Sequence, residues 1–267
     1  MYNRAELRPA FDAIWAATRD RLLAAGVDAP KALTVVEDDL LSFWQRTDLL
    51  LSQTCGYPYC HFLKDRVTLV GTPDFGLTDC PPGHYRSAWV VRADDPRQAL
   101  ADFQGATFAC NDMHSQSGCA APMLAAQQAH VRFAAMRHSG AHMASARMVA
   151  NGEADIAGLD AISWRHMTRF DPWTAGLRVL GWTEPTPGLP FVTAFEPLAD
   201  ILRDGLCHAL AVLPPPMRDL LTMEGIVRLD QATYVSVLDP AEQPWTQLLG
   251  SRREAPRPHI GMPDRAP

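Results

Sequence analysis

Residues 107–130 read Thr107-Phe108-Ala109-Cys110, then Asn111-Asp112-Met113-His114-Ser115-Gln116-Ser117-Gly118, then CAAPMLAAQQAH. A short apolar run, a polar loop rich in hydroxyls and an alanine-rich stretch make a strand–loop–helix unit. Ser115 and Ser117 stand where the helix begins, so free backbone N–H groups and the helix dipole favour an anion there. Gly118 lets the backbone approach a ligand with no side chain between. The same residues also suit a plain structural role, with Ser117 capping the helix and Ser115 shaping the turn.

Similar units flank this one. Apolar strands are expected at residues 49–52, 67–71, 88–92, 155–158 and 178–182, and helices at 96–103, 120–130 and 143–151, the last closed by Gly152. Before them, Asn3 and Glu6 have capping-box spacing, Pro9 sits in the first turns, and Phe11, Ile14, Trp15, Thr18 and Leu22 recur at helical spacing up to Gly26. An α/β lobe ordinarily places a strand ahead of such a helix, so the first strand is expected to be missing or cut short. Strands alternating with helices predict the α/β class, each lobe a mostly parallel sheet flanked by helices.

Two proline-rich crossings, Cys80-Pro81-Pro82-Gly83 and Glu184-Pro185-Thr186-Pro187-Gly188, interrupt the alternation. They divide the chain into a discontinuous outer lobe (1–83 plus 185–250) and an inserted inner lobe (84–184), with a ligand cleft at the hinge. Residues 251–267, rich in Arg and Pro, read as a poorly ordered tail.

The 267 residues carry a net charge of −6, with 47% apolar and 20% charged residues, which suits a globular protein and excludes a nucleic-acid partner. No run of about twenty apolar residues is present to span a membrane. The N-terminal MYNRAELRPAF lacks the pattern of a secretory signal, so the chain is expected either to be cytoplasmic or to be a trimmed form. Six cysteines form no CxxC pair. Cys55, Cys60, His61 and Cys80 match no common zinc spacing, so no metal and no cofactor is expected, and buried free thiols are the plainest reading. A Cys55–Cys80 or Cys60–Cys80 disulfide requires an oxidising compartment.

Other candidates lie at element ends. Ser139-Gly140-Ala141-His142 opens a helix, where a charged imidazole is disfavoured and a neutral donor fits; a turn histidine is the alternative. Asp160 follows a strand at its carboxyl end, where α/β ligands sit, and can also cap the next helix. Tyr85 and Ser87 follow the first crossing and can face the cleft, although a tyrosine there can equally be core. Thr54, ending the strand at 49–52, repeats in the outer lobe the arrangement around Ser117.

These motifs resemble the phosphate, phosphite and phosphonate substrate-binding proteins of ABC importers, of the type 2 periplasmic-binding-protein fold. GHYRSAWVVRADDPRQALADFQG (83–105) is similar to the strand entering that family's second lobe. NDMHSQSGCAAP (111–122) is similar to its phosphoryl loop, and SGAHMASARMVANGEADIAGLD (139–160) to its next helix and strand. The resemblance runs from about Leu49 to Val192. It implies contacts to phosphoryl oxygens from Tyr85, Ser115, Ser117 and His142, with Gln116 where many members carry a hydroxyl. Asp160 falls at the position reading the non-phosphoryl end or a protonated oxygen, and Tyr2 at an aromatic position after the family's first strand. The resemblance further implies a monomer, a small oxyanion ligand, an ABC-transporter permease as partner, and a periplasmic location. A cytoplasmic module for another small anion or polar metabolite is the alternative.

Ser117, His142 and Asp160 together also invite a hydrolase reading. SQSGC lacks the G-x-S-x-G elbow, however, and a cysteine hydrolase of Cys119 or Cys55 with His142 has no further motif behind it. A binding protein, not an enzyme, is therefore expected.

Overall fold

A computed structural model of the chain describes residue 2, residues 4–36 and residues 39–238. The Asn3 end of the capping box and the tail at 251–267 lie outside the described residues. The strands are Ser52–Gln53 (β1), Thr68–Asp74 (β2), His84–Tyr85 (β3), Ser87–Arg92 (β4), Thr107–Cys110 (β5), Ala135–His138 (β6), Ile156–Asp160 (β7), Leu177–Trp182 (β8), Thr186–Pro187 (β9), Phe191–Thr193 (β10) and Gly225–Val227 (β11). The α-helices are Arg8–Ala24 (α1), Leu40–Trp44 (α2), Gly56–Pro58 (α3), Ala121–Gln128 (α4), His142–Ala150 (α5), Ala161–Phe170 (α6), Ala199–Val212 (α7), Pro215–Leu221 (α8) and Gln231–Leu238 (α9).

Two sheets carry the fold. One has the order β6-β5-β7-β4-β8 and the other β1-β10-β2-β11. The fold is α/β and two-lobed, but the expectation of mostly parallel sheets is corrected. In the five-stranded sheet β5 pairs in parallel with β6 and β7, whereas β4 pairs antiparallel with β7 and β8. Strands β5 to β8 therefore all run one way, as strand–helix alternation demands, and only β4 is reversed. It enters straight from the crossing, with no helix to turn it around. In the other sheet every pairing is antiparallel. Strands β1 and β2 do run the same way, but β10, returning from the second crossing, lies between them.

The crossings themselves pair, His84 with Pro187 and Tyr85 with Thr186. Gly83 adopts φ +71°, and Gly188 donates its N–H to the Gly83 carbonyl at 2.8 Å. A Cβ on Gly188 would lie 2.9 Å from that carbonyl oxygen, so the close approach requires glycine.

Helix α1 buries Ala10, Ile14, Trp15, Thr18 and Leu22, which matches its periodicity apart from Phe11, half-buried at the edge of the stripe. Its partner is α7, whose Gly205 lets Thr18 approach. Apolar clusters fill both faces of the five-stranded sheet, around Trp89 and Phe108 on one side and Val90 and Leu159 on the other. Strand β6 escaped the sequence pattern because it is a solvent-facing edge: three of its four residues are exposed. Its Ala-Met-Arg-His carries no apolar run to betray it.

Candidate functional site

Strand β5 delivers the chain into the 111–118 loop, which ends in a π-helical turn, Gln116–Ala120, running directly into α4. Ser115 is the N-cap of that turn, its Oγ accepting from the Gly118 N–H at 3.1 Å. Ser115, rather than Ser117, therefore fills the capping role. Ser117 is free of that task, and its Oγ lies 3.2 Å from Nε2 of His142, the first residue of α5. Gly118 is packed so closely that a Cβ would fall 1.6 Å from Asn111 Oδ1 and 3.0 Å from the His142 ring. Ser115, Gln116 and Ser117 are all buried.

Asp160, at the end of β7, is buried and both caps and connects. One carboxylate oxygen accepts from the Ser163 N–H at the start of α6 (2.7 Å), and the other from the Tyr2 hydroxyl (3.1 Å). The two roles weighed for Asp160 thus coexist. Ser87 stands directly opposite it in the β4–β7 ladder, with its N–H held by the Thr183 hydroxyl at 3.0 Å. The Tyr85 hydroxyl, also buried, faces the Ser117 hydroxyl and lies 4.0 Å from Cys55 Sγ.

Burial sets the protonation of this ring. It raises the Tyr85 and Tyr2 phenols well above their usual range, reinforced for Tyr85 by Cys55 and Asp160 and for Tyr2 by Asp160. Burial also raises the Cys55 thiol and lowers His142, the latter opposed by the Asp160 charge. The Asp160 carboxyl is itself pushed up by burial, against His142 and its N–H donors. The ring is therefore a set of neutral donors beside one carboxyl that is reluctant to ionise.

Tyr85, Ser117, His142, Asp160 and Tyr2 are brought into one connected set, with Ser115, Gln116, Gly118 and Ser87 supporting it. Thr54 is not. Its N–H goes to the Pro190 carbonyl (3.0 Å) and its hydroxyl to the Cys55 carbonyl (3.4 Å). The outer contribution comes one residue later, from Cys55, whose sulfur lies 4.0 Å from the Tyr85 hydroxyl. Cys55 was read as a buried free thiol. The signal that could have promoted it is its place at the N-cap of α3, directly after β1. All six cysteines are free, and among the described residues no group of three or more His, Cys, Asp or Glu is placed to hold a metal ion.

The arrangement does not complete a Ser-His-Asp relay. His142 Nδ1 meets no partner in hydrogen-bond geometry, while the Asp160 oxygens are engaged by Tyr2 and Ser163. A general base needs its second nitrogen oriented by an acceptor, and Asp160 does not supply that here.

Comparisons with known proteins bear on the fold and the family. The methylphosphonate complex of PhnD1 from Prochlorococcus marinus superposes with a TM-score of 0.67 at 15% identity, covering 86% of this chain and 91% of that one. A binding-protein component of an ABC phosphonate transporter, PA3383 from Pseudomonas aeruginosa, gives 0.64 at 16% identity over 88% and 81%. The periplasmic aliphatic sulphonate binding protein SsuA from Escherichia coli gives 0.59 at 13% identity over 97% and 96%. No curated protein matches the chain. The family described as ABC transporter, phosphonate, periplasmic substrate-binding protein matches residues 45–234. This span contains the crossings, the 111–118 loop, His142 and Asp160, and the chain belongs to that family of substrate-binding proteins.

Proposed function

We propose that this chain captures a small phosphorus oxyanion (a phosphonate, phosphite or phosphate) by closing its two lobes over it, as the periplasmic binding component of an importer with a membrane permease as partner. The observation that carries this reading is the composition of the ring. Neutral donors Tyr85, Ser117 and His142 converge beside a single buried carboxyl, Asp160. Neutral donors hold an anion well when the hydrogen-bond network is complete, because each bond to a charged acceptor is charge-assisted. Asp160 accepts from a proton on the bound oxyanion, or from an amine at its far end. Tyr85, Ser87, Ser115, Gln116, Ser117, Gly118 and His142 surround the phosphoryl oxygens, while Tyr2 and Cys55 close the site from the outer lobe.

The lobes are residues 84–184 and residues 1–83 with 185–250, hinged at the β3–β9 pair. Closure has a clear physical advantage. Tyr2 and Cys55 are far from the inner lobe in sequence, so a ligand that touches both sides binds the closed form better than the open one.

Calorimetry with methylphosphonate, 2-aminoethylphosphonate, phosphite and phosphate, set against methanesulfonate and sulfate, tests the reading. A phosphorus oxyanion is expected to bind in the micromolar range or tighter, and the sulfur oxyanions, which carry no proton at neutral pH, at least about tenfold more weakly. The Asp160→Asn variant should narrow that gap by removing the carboxyl that accepts the ligand's proton. Equal binding of methanesulfonate and methylphosphonate would overturn the assignment of the ligand, and the absence of compaction by scattering on ligand addition would overturn lobe closure.

A further inference from the structure

A cavity of about 480 Å³ opens between α6 and the turn joining α8 to β11, and none of the oxyanion-ring residues lines it. This size suits a small molecule. Its charges are arranged unusually. Arg165, half-buried on α6, donates from Nη1 to the Phe75 carbonyl at 3.0 Å and has no carboxylate within ion-pair distance among the described residues. Arg218 spends Nη2 on the carbonyls of Ala211 and Leu213, and likewise has no carboxylate partner there. Glu224, opposite, lies against Gly76, where a Cβ would fall 2.0 Å from its Oε1, and it too forms no ion pair among the described residues. Asp219 does not change this balance, because Arg169 already holds it at 2.8 Å.

The pocket lining thus carries cationic and anionic groups that form no ion pair with each other among the described residues. Burial lowers the Arg165 pKa, and the charges of Glu224 and, more weakly, Asp160 and Tyr2 oppose that shift. Thr222, held in the left-handed region at φ +52°, shapes the turn between α8 and β11, and its Oγ1 is sealed from the cavity.

We propose that this cavity is a second ligand site, for a small zwitterion carrying both a carboxylate and an ammonium group, as a free α-amino acid does. The carboxylate lies between Arg165 and Arg218, and the ammonium against Glu224. A neutral molecule leaves both charges unpaired, and a simple anion satisfies only one side. The two unpaired charges also come from different parts of the chain, Arg165 between strands of the five-stranded sheet and Glu224 beside β11 of the other.

The test is a thermal-shift panel of α-amino acids, with acetate and methylamine as single-charge probes, on the full chain and on the Arg165→Gln and Glu224→Gln variants. At least one amino acid should raise the unfolding midpoint, by about 3–6 °C at ten times its dissociation constant. Each variant should lose that shift, and Glu224→Gln should keep its response to methylphosphonate. Glu224 is exposed, so Glu224→Gln is expected to fold; its unliganded midpoint and circular dichroism verify this. Silence towards every amino acid, an equal response to acetate, or a shift that survives Glu224→Gln would each overturn the proposal. These outcomes are independent of the oxyanion reading, whose failure would show as loss of the methylphosphonate response with the amino-acid response intact.

Discussion

The two sides of the proposed oxyanion ring are built in contrasting ways. On the inner side, Ser117, His142 and Asp160 each sit where a strand of one sheet hands over to a helix, and the backbone around them is tied by local bonds: Ser115 to Gly118, Asp160 to Ser163. On the outer side, Cys55 begins a three-residue helix that passes at once into a π-helical turn, and Tyr2 approaches from ahead of α1. The first side is held by regular structure and the second by long-range contacts. A preorganised half and an adaptable half suit a site that must open, because a donor locked on both sides has no way to release its ligand.

This contrast sets the order of expected effects. Gly118→Ala should do most damage, because its Cβ collides with Asn111 and His142. Overpacking of this kind costs about 1–3 kcal/mol, and calorimetry should show methylphosphonate binding reduced by at least about a hundredfold. Ser117→Ala removes a donor without a clash. It should weaken binding by about 10–150-fold, the equivalent of about 1.5–3 kcal/mol, and lower the unliganded midpoint modestly, because His142 Nε2 loses its partner. Cys55→Ala, on the adaptable side, should weaken binding only about three- to tenfold, since a thiol is a weak partner. If Cys55→Ala proved as severe as Ser117→Ala, the inner side would not be the dominant one.

The smallest effect is a pH dependence of stability that separates the ring from its surroundings. Burial, with Arg4, Arg165 and Arg169 nearby, lowers the pKa of His166 to about 4. Between the ordinary imidazole range and pH 4 the unfolded chain binds a proton that the folded chain refuses, so stability falls as pH drops through that window. His142 acts in the same direction. Asp160 acts in the opposite one: its raised pKa makes the folded state bind a proton more tightly, so its contribution declines as pH rises above the usual carboxylate range. Midpoints from denaturant titrations at pH 4.5 and 7 should therefore differ less in a His166→Phe variant than in the unmodified chain.

Much of this was visible without coordinates, and the failures have identifiable causes. Strand β5 was placed at both ends, and the strand ending in Asp160 within two residues. Apolar runs bounded by polar ends report burial directly. The expectation of mostly parallel sheets failed at β4, and at β10, which was not expected as a strand, because both enter from a crossing rather than after a helix. Thr54 was favoured over Cys55 by side-chain chemistry, hydroxyl over thiol. The fold instead turns the threonine toward Pro190, because the Thr54 N–H is needed to hold β1 beside β10.

The sequence by itself determined the local devices: the strand–loop–helix unit around Ser117, the acid at the end of β7, and the paired proline-rich crossings. These depend on residues within a few positions of one another, whose hydrogen bonding and backbone preferences do not wait for the rest of the chain. The tertiary structure alone decided that Tyr2 meets Asp160 across 158 residues, that Cys55 rather than Thr54 faces Tyr85, and that Arg165 and Glu224 share a cavity without pairing. Such meetings depend on which buried surfaces pack together, and no window of sequence contains both partners.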